Sequence, residues 1–320
     1  SYSSSNGEDT LLKENDYTIG MYNINTTDVM LLFTNLGNYL YLPVYDIPEC
    51  KWKDLGKHIS NIIPLMDDEK IVHSMFVSDF DEEKYITSFS KNGMIKRTLL
   101  NEFKAQRYSK PIKMMNLKDD DEIVSVTDSS DSEIFIATSC GYGLWYDVSE
   151  VPVVGIKAAG VKSINLKDDY VVSGILFNAG SEYITILTDK GTGKRVKLLE
   201  FEKTSRAKRG ILLMKVIKSN PSRVISVYIE DSKSLIGIVS DNYTKEVKIT
   251  EIPIMDRYSN GSYVIKDRIL SSYNIKGMKT YNDKEKEDKT SIKVEKSAVS
   301  LKEIDDKLSS IDSIINDSYE

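Results

Sequence analysis

Five copies of one hairpin pattern constrain this chain more than any other feature. In the clearest copy, Glu182-Tyr-Ile-Thr-Ile-Leu runs into the corner Thr188-Asp-Lys-Gly191, and Thr-Gly-Lys-Arg-Val-Lys leaves it. β-Branched and aromatic residues on both sides of a turn that ends in glycine signal a β-hairpin. The pattern also turns at Gly37, Gly93 and Gly141, and a fifth copy turns at Tyr243 beside Asn242. The corners at 37, 93, 141, 191 and 243 stand 56, 48, 50 and 52 residues apart. A strand-built period of about fifty residues predicts a propeller-like or solenoid array.

Two further markers keep the same order. The first is an acidic turn before an apolar strand: Leu12 to Ile19, Leu65 to Val72, Leu117 to Val124 and Leu166 to Val172, with Asn220-Pro-Ser-Arg223 in the fourth unit. The second is a glycine before an apolar strand, at Gly56, Gly160, Gly210 and Gly261, with Ser109-Lys-Pro-Ile in that slot of the second unit. Each unit therefore reads hairpin, linker, strand, acidic turn, strand, which makes about four strands per blade. A blade buries both faces only against its neighbours, so the ring is the stable object. The expected class is all-β, with five to six blades. The chain is expected to start inside an earlier unit whose last strand is Tyr17 to Asn23.

The array is expected to occupy residues 1–276. From about Gly277 the pattern stops. Lys279 to Lys296 is charged and poor in apolar residues, which reads as linker. Leu301, Ile304, Leu308, Ile311 and Ile315 then recur at helical spacing, so 277–320 reads as a charged tail with one amphipathic stripe. That stripe either frays on the surface or docks.

No run approaches the apolar length of a membrane helix, and no secretory signal is visible. The two cysteines, Cys50 and Cys140, make no metal or redox motif and fit a reducing cytosol as small fillers on or near strands. His58 and His73, the two histidines, have no ligand spacing and read as ordinary strand or loop residues. The acidic turns lack the pattern of a cation loop and read as solvated turns. Gly141-Tyr-Gly143 and Gly191-Thr-Gly193 are hairpin corners, not phosphate loops. No catalytic constellation and no metal site is expected.

Several stretches carry a family resemblance. Leu31 to Pro48, Gly56 to Leu65, Gly93 to Phe103, Gly191-Thr-Gly-Lys-Arg195 and Thr204 to Ile211 resemble, in order, the C-terminal domain of the bacterial type IIA topoisomerase A subunits. The resemblance covers roughly residues 10–275. It implies a β-pinwheel, a propeller-like ring whose blades exchange strands. It also implies a role in binding and bending duplex DNA around the outer rim, beside a separate cleavage core. ATP and Mg would be used by other parts of the parent enzyme, and this domain would need no cofactor. The implied partners are duplex DNA, the remainder of the A-type polypeptide and the B-type ATPase polypeptide, in the cytoplasm with the nucleoid. The gyrase member of the family carries a Gln-Arg-Arg-Gly-Gly-Lys-Gly type box in its first blade. The aligned positions here read Ser1-Tyr-Ser-Ser-Ser-Asn6, so the resemblance is closer to the topoisomerase IV member.

The net charge of −6 does not favour a nucleic-acid binder, so placement of the cations decides. Lys96-Arg97, Lys194-Arg195 with Lys197, and Lys245 with Lys248 follow the hairpin corners. Lys104, Arg107 and Lys110, then Arg206, Lys208 and Arg209, then Arg257, lie on the linkers. Repetition would place these along one rim to meet phosphates, with no base-reading motif required. Trp145-Tyr146 stands where the third unit would carry its basic pair, so that blade is expected to contribute less. A protein-interaction propeller is the alternative from another class.

Overall fold

The computed structural model describes residues 22–275 apart from 51–55, Asp119 and Lys218. The expected tail at 277–320 and most of the expected strand at Tyr17 to Asn23 lie outside the described residues.

Five hairpins form where the pattern placed them. They are β1 (Val29–Thr34) with β2 (Asn38–Pro43), then, after the inner strand β3 (Ile71–Val77), β4 (Tyr85–Ser90) with β5 (Met94–Leu99). The chain continues through β6 (Ile112–Lys113) and β7 (Ile123–Thr127) to the third hairpin, β8 (Glu133–Thr138) with β9 (Tyr142–Asp147). Next come β10 (Val161–Lys162), β11 (Val171–Phe177), and the fourth hairpin, β12 (Tyr183–Thr188) with β13 (Thr192–Lys197). The last group is β14 (Ile211–Leu212), β15 (Val224–Tyr228), the hairpin β16 (Leu235–Ser240) with β17 (Thr244–Lys248), β18 (Ser262–Tyr263) and β19 (Ile269–Ile275).

The sheet orders are β3-β1-β2-β6, β7-β4-β5-β10, β11-β8-β9-β14, β15-β12-β13-β18 and β19-β16-β17. Each blade thus takes its inner strand from the chain just after its own hairpin. Its two-residue outer strand comes from the chain after the next hairpin. This exchange is the pinwheel arrangement that the resemblance implied: an all-β propeller-like ring with five blades among the described residues. Among the described residues the fifth sheet has three strands, since no later hairpin is described that could be followed by an outer one.

The corners explain why the exchange works. The amide of Gly191 donates to Thr188 O at 3.2 Å, with Gly191 at φ 77°, a left-handed conformation suited to glycine. This turn points the Gly191 carbonyl outward, where it accepts from Val264 N at 2.8 Å, next to β18. Gly37, Gly93 and Gly141 receive Met114, Ser163 and Leu213 in the same way. One residue type at the corner therefore closes the hairpin and receives the next unit. Tyr243 is not in that conformation, and its corner is held instead by the Ser240 hydroxyl.

The core lies between blades. Leu31, Phe33 and Tyr39 of the first blade meet Ile86, Leu100 and Phe103 of the second. Phe89 and Ile95 meet Ile134 and Tyr146, Phe135 meets Ile184 and Phe201, and Leu187 meets Ile236 and Ile249. Inner strands are also tied across blades: Ile123, Val171, Val224 and Ile269 donate their amides to the corner carbonyls of Asn35, Lys91, Ser139 and Asp189.

The acidic turns are not merely solvated, which corrects the sequence expectation. Glu69 is buried and accepts from the Thr34 hydroxyl at 2.6 Å and the Asn38 amide side chain at 2.7 Å. Asp121 accepts from Asn92 N and Asp169 from Cys140 N, at 2.8 and 2.9 Å. Asp121 and Asp169 thus take up corner backbone amides, and Glu69 takes up corner side chains. Cys140 accordingly sits at a corner rather than on a strand, beside the Arg223 guanidinium.

Candidate nucleic-acid interface

In the second and fourth blades the first lysine after the corner is buried. Lys96 is 1% exposed and Lys194 is 2% exposed. Lys96 Nζ donates to the carbonyls of Met114 and Ile156. Lys194 Nζ donates to Arg257 O at 2.6 Å, Ser259 O at 2.7 Å and Asp256 O at 3.2 Å. Burial pushes both ammonium groups down to about 8, against a weaker opposite pull from Glu102 on Lys96 and Glu200 on Lys194. Neither is presented to a phosphate in this conformation.

The arginine of each pair lies over a tyrosine of its own hairpin, and Arg195 Nε also donates to Ile252 O at 2.8 Å. The Arg97 guanidinium carbon sits 3.9 Å from the Tyr85 ring centre, and that of Arg195 sits 5.4 Å from the Tyr183 ring centre. Both strands carry a parallel bridge at this residue to the next unit's linker, Arg97 with Val153 and Arg195 with Ile254. In the third blade the same bridge joins Trp145 to Lys203. By register, Leu144 and Trp145 are therefore the replacements for the basic pair, one residue earlier than the sequence suggested. The Trp145 indole donates to Glu133 at 2.7 Å and packs on Phe177, while Tyr146 is buried against Ser163. Lys203, in the linker slot, is answered by Glu133 at 2.8 Å and Asp147 at 3.0 Å.

The linker cations divide in two. Arg206 donates through Nε to Glu150 O at 3.0 Å and through Nη1 to Lys162 O. Arg257 donates to Leu212 O at 2.5 Å. Their backbone amides meet Glu150 and Glu200 at 2.7 and 2.8 Å, which anchors each linker to the preceding blade. Arg209 packs over Tyr142, 4.1 Å from the ring centre. These three are half-buried and serve the exchange first.

Lys104, Arg107, Lys110, Lys197, Lys208, Lys245 and Lys248 are exposed. Lys245 also reaches Val264 O at 3.2 Å. Lys113, Lys157 and Lys162 share the linker or outer-strand positions and are exposed as well. A corner-centred pattern passes over them, yet Lys113 and Lys162 are the second residues of β6 and β10, a signal available once the outer strands are aligned. Lys197, Lys245 and Lys248 stand on hairpin strands and the others on linkers or outer strands, so exposed cations lie on both. Long lysine stems with exposed ammonium groups suit phosphate binding without base reading. Among the described residues, no group of His, Cys, Asp and Glu could hold a metal ion.

The family described as DNA gyrase C-terminal domain, beta-propeller, matches residues 28–78, 84–128, 132–178 and 182–229. Each match runs from one hairpin through its linker to the end of its inner strand. The chain belongs to this family. It is 46% identical over 266 residues to the DNA topoisomerase 4 A subunit of Bacillus subtilis, covering 82% of this chain and 33% of that protein. It is 37% identical over 257 residues to the DNA topoisomerase 4 A subunit of Staphylococcus epidermidis, covering 79% and 32%. The chain thus spans about a third of the length of the curated relatives it matches. Among solved structures, the C-terminal domain of DNA topoisomerase IV superposes with TM-score 0.82 at 44% identity, covering 85% of this chain and 86% of that one. A DNA gyrase A C-terminal domain superposes with TM-score 0.64 at 20% identity, covering 83% and 89%, a likeness of fold.

Proposed function

We propose that this ring is the DNA-binding domain of a topoisomerase IV A-type polypeptide. It holds duplex DNA without sequence preference, bends it over the linker rim, and presents segments to a strand-passage core for decatenation and relaxation. The observation that carries this reading is the match to the solved topoisomerase IV C-terminal domain along almost its whole length. The exposed Lys104, Arg107, Lys110, Lys197, Lys208, Lys245 and Lys248 supply mobile cations for phosphates, and the acidic net charge is absorbed partly by turns that cap corners. The remainder of the A-type polypeptide, the B-type ATPase polypeptide, and the use of ATP and Mg belong to the same proposal, as does work on chromosomal DNA in the cytoplasm. No helix among the described residues is long and apolar enough to cross a membrane.

Binding of two duplexes of unrelated sequence, measured over a salt series, tests the reading. Similar affinities that fall linearly with the logarithm of salt concentration are expected. Undetectable binding to both at low salt would favour a protein-interaction propeller. In the complete enzyme with ATP, relaxed plasmid is expected to stay free of negative supercoils; their appearance would assign the chain to the gyrase branch.

A further inference from the structure

The tripeptide Arg-Tyr-Ser occurs twice in the chain, at 107–109 and at 257–259. Both copies lie on exchanged linkers, ahead of β6 and β18, and so at equivalent places three blades apart. The second and third linkers between them read Ile156-Lys-Ala and Arg206-Ala-Lys, so the tyrosine is not required by the exchange itself.

At the first copy, Tyr108 packs on Tyr41 with ring centres 5.4 Å apart, and Tyr41 stacks on the buried Phe80 at 5.7 Å. The Tyr108 hydroxyl meets the Tyr45 hydroxyl at 3.4 Å. Tyr45 is 67% exposed, at the 3-10 turn that ends β2. Lys104, Arg107 and Lys110 are exposed on the linker that carries Tyr108. At the second copy, the Arg257 guanidinium carbon lies 4.3 Å from the Tyr258 ring centre, and Tyr258 is 60% exposed. Duplex phosphates need cations but no ring faces. An exposed tyrosine fixed through its hydroxyl or by a guanidinium over its ring, on linkers that also carry exposed cations, is an arrangement that can stack on unpaired bases of a single strand.

We infer that Tyr45 and Tyr258 are stacking platforms for unpaired bases, so that the rim also binds single-stranded DNA. The backbone of that strand runs over Arg107, Lys104 and Lys110 at the first platform. The inference rests on the proposed function in one respect: the same linker cations serve both forms of DNA. The rings then give the domain a preference for places where a duplex opens.

The test uses the full 320-residue chain, an oligothymidylate and a duplex, with the double variant Tyr45→Ala/Tyr258→Ala. Both side chains are largely exposed, so folding is expected to survive, and a thermal melt checks it. Oligothymidylate binding is expected to weaken roughly five- to hundred-fold, with duplex binding within two-fold of the original. Equal loss for both ligands, or no loss for either, would overturn the inference. Failure of the unaltered chain to bind oligothymidylate while it binds duplex would also overturn it and leave the proposed function standing. Failure to bind either would overturn both.

Discussion

The ammonium of Lys194 donates to the carbonyl of Arg257 at 2.6 Å across a sequence separation of 63 residues. One lysine of the fourth hairpin therefore gathers the linker of the fifth unit, since the carbonyls of Asp256 and Ser259 converge on the same nitrogen. Lys96 does this for Ile156. The strand exchange is thus held by buried cations as well as by two-residue ladders.

Replacing Lys194 with methionine keeps most of the volume but leaves three carbonyls without their donor. The expected cost is about 1–3 kcal/mol of unfolding free energy. Urea unfolding of the variant measures it. Duplex affinity at fixed salt is expected to stay within two-fold, because this nitrogen faces carbonyls and not solvent.

The same two lysines predict an unusual pH dependence. Their folded values near 8 lie below the ordinary 10.5, so between those limits the unfolded chain binds more protons. Stability is then expected to rise with pH from about 8 toward 10. Tyr39, pushed up to about 12 by burial, acts oppositely, and its contribution falls only above its ordinary value of 10.0. Denaturant midpoints at pH 7.5 and pH 9.5 read the effect, and a double Lys96→Met/Lys194→Met variant is expected to lose it.

Gly174 on β11 sits against the Phe89 ring of the neighbouring blade, and an added Cβ would lie 2.2 Å from it. Gly174→Ala is expected to cost about 1–3 kcal/mol through overpacking between blades. A thermal melt checks the loss, and Gly155→Ala, with open space around its Cβ position, is the neutral control.

Glu69→Ala removes the acceptor of both Thr34 and Asn38 at the first corner. Leaving the buried Thr34 hydroxyl and the half-buried Asn38 amide without this acceptor is expected to cost about 1–3 kcal/mol. Hydrogen exchange at the corner residues 34–38 is expected to speed up more than exchange in the fourth blade, whose corner is capped by other groups.

The architecture is legible in the sequence because its period, its corner glycines and its β-rich runs are local signals that agree with one another. Gly37, Gly93, Gly141 and Gly191 all turn as the pattern requires. The candidate site is less legible for a physical reason. Recurrence of Lys-Arg after a corner marks a repeated environment, and in this fold that environment is the buried seam where one unit meets the next linker. Lys96 and Lys194 both face converging carbonyls there. Lys104, Arg107, Lys110 and Lys208 are exposed on linkers, whereas Arg206, Arg209 and Arg257, also on linkers, are half-buried. The acidic turns read as solvated in the sequence because capping of a corner about thirty residues away leaves no local trace.

The measurement closest to the central claim compares the salt dependence of duplex binding for two variants of the full chain. One neutralises Lys104, Arg107, Lys110 and Lys208 as glutamines; the other carries Lys96→Met and Lys194→Met. The linker variant is expected to bind more weakly, with the slope of log affinity against log salt reduced by about one for each phosphate that is no longer neutralised. The seam variant is expected to keep the original slope while melting at lower temperature. An unchanged slope in the linker variant, with a reduced slope in a folded seam variant, would contradict the account.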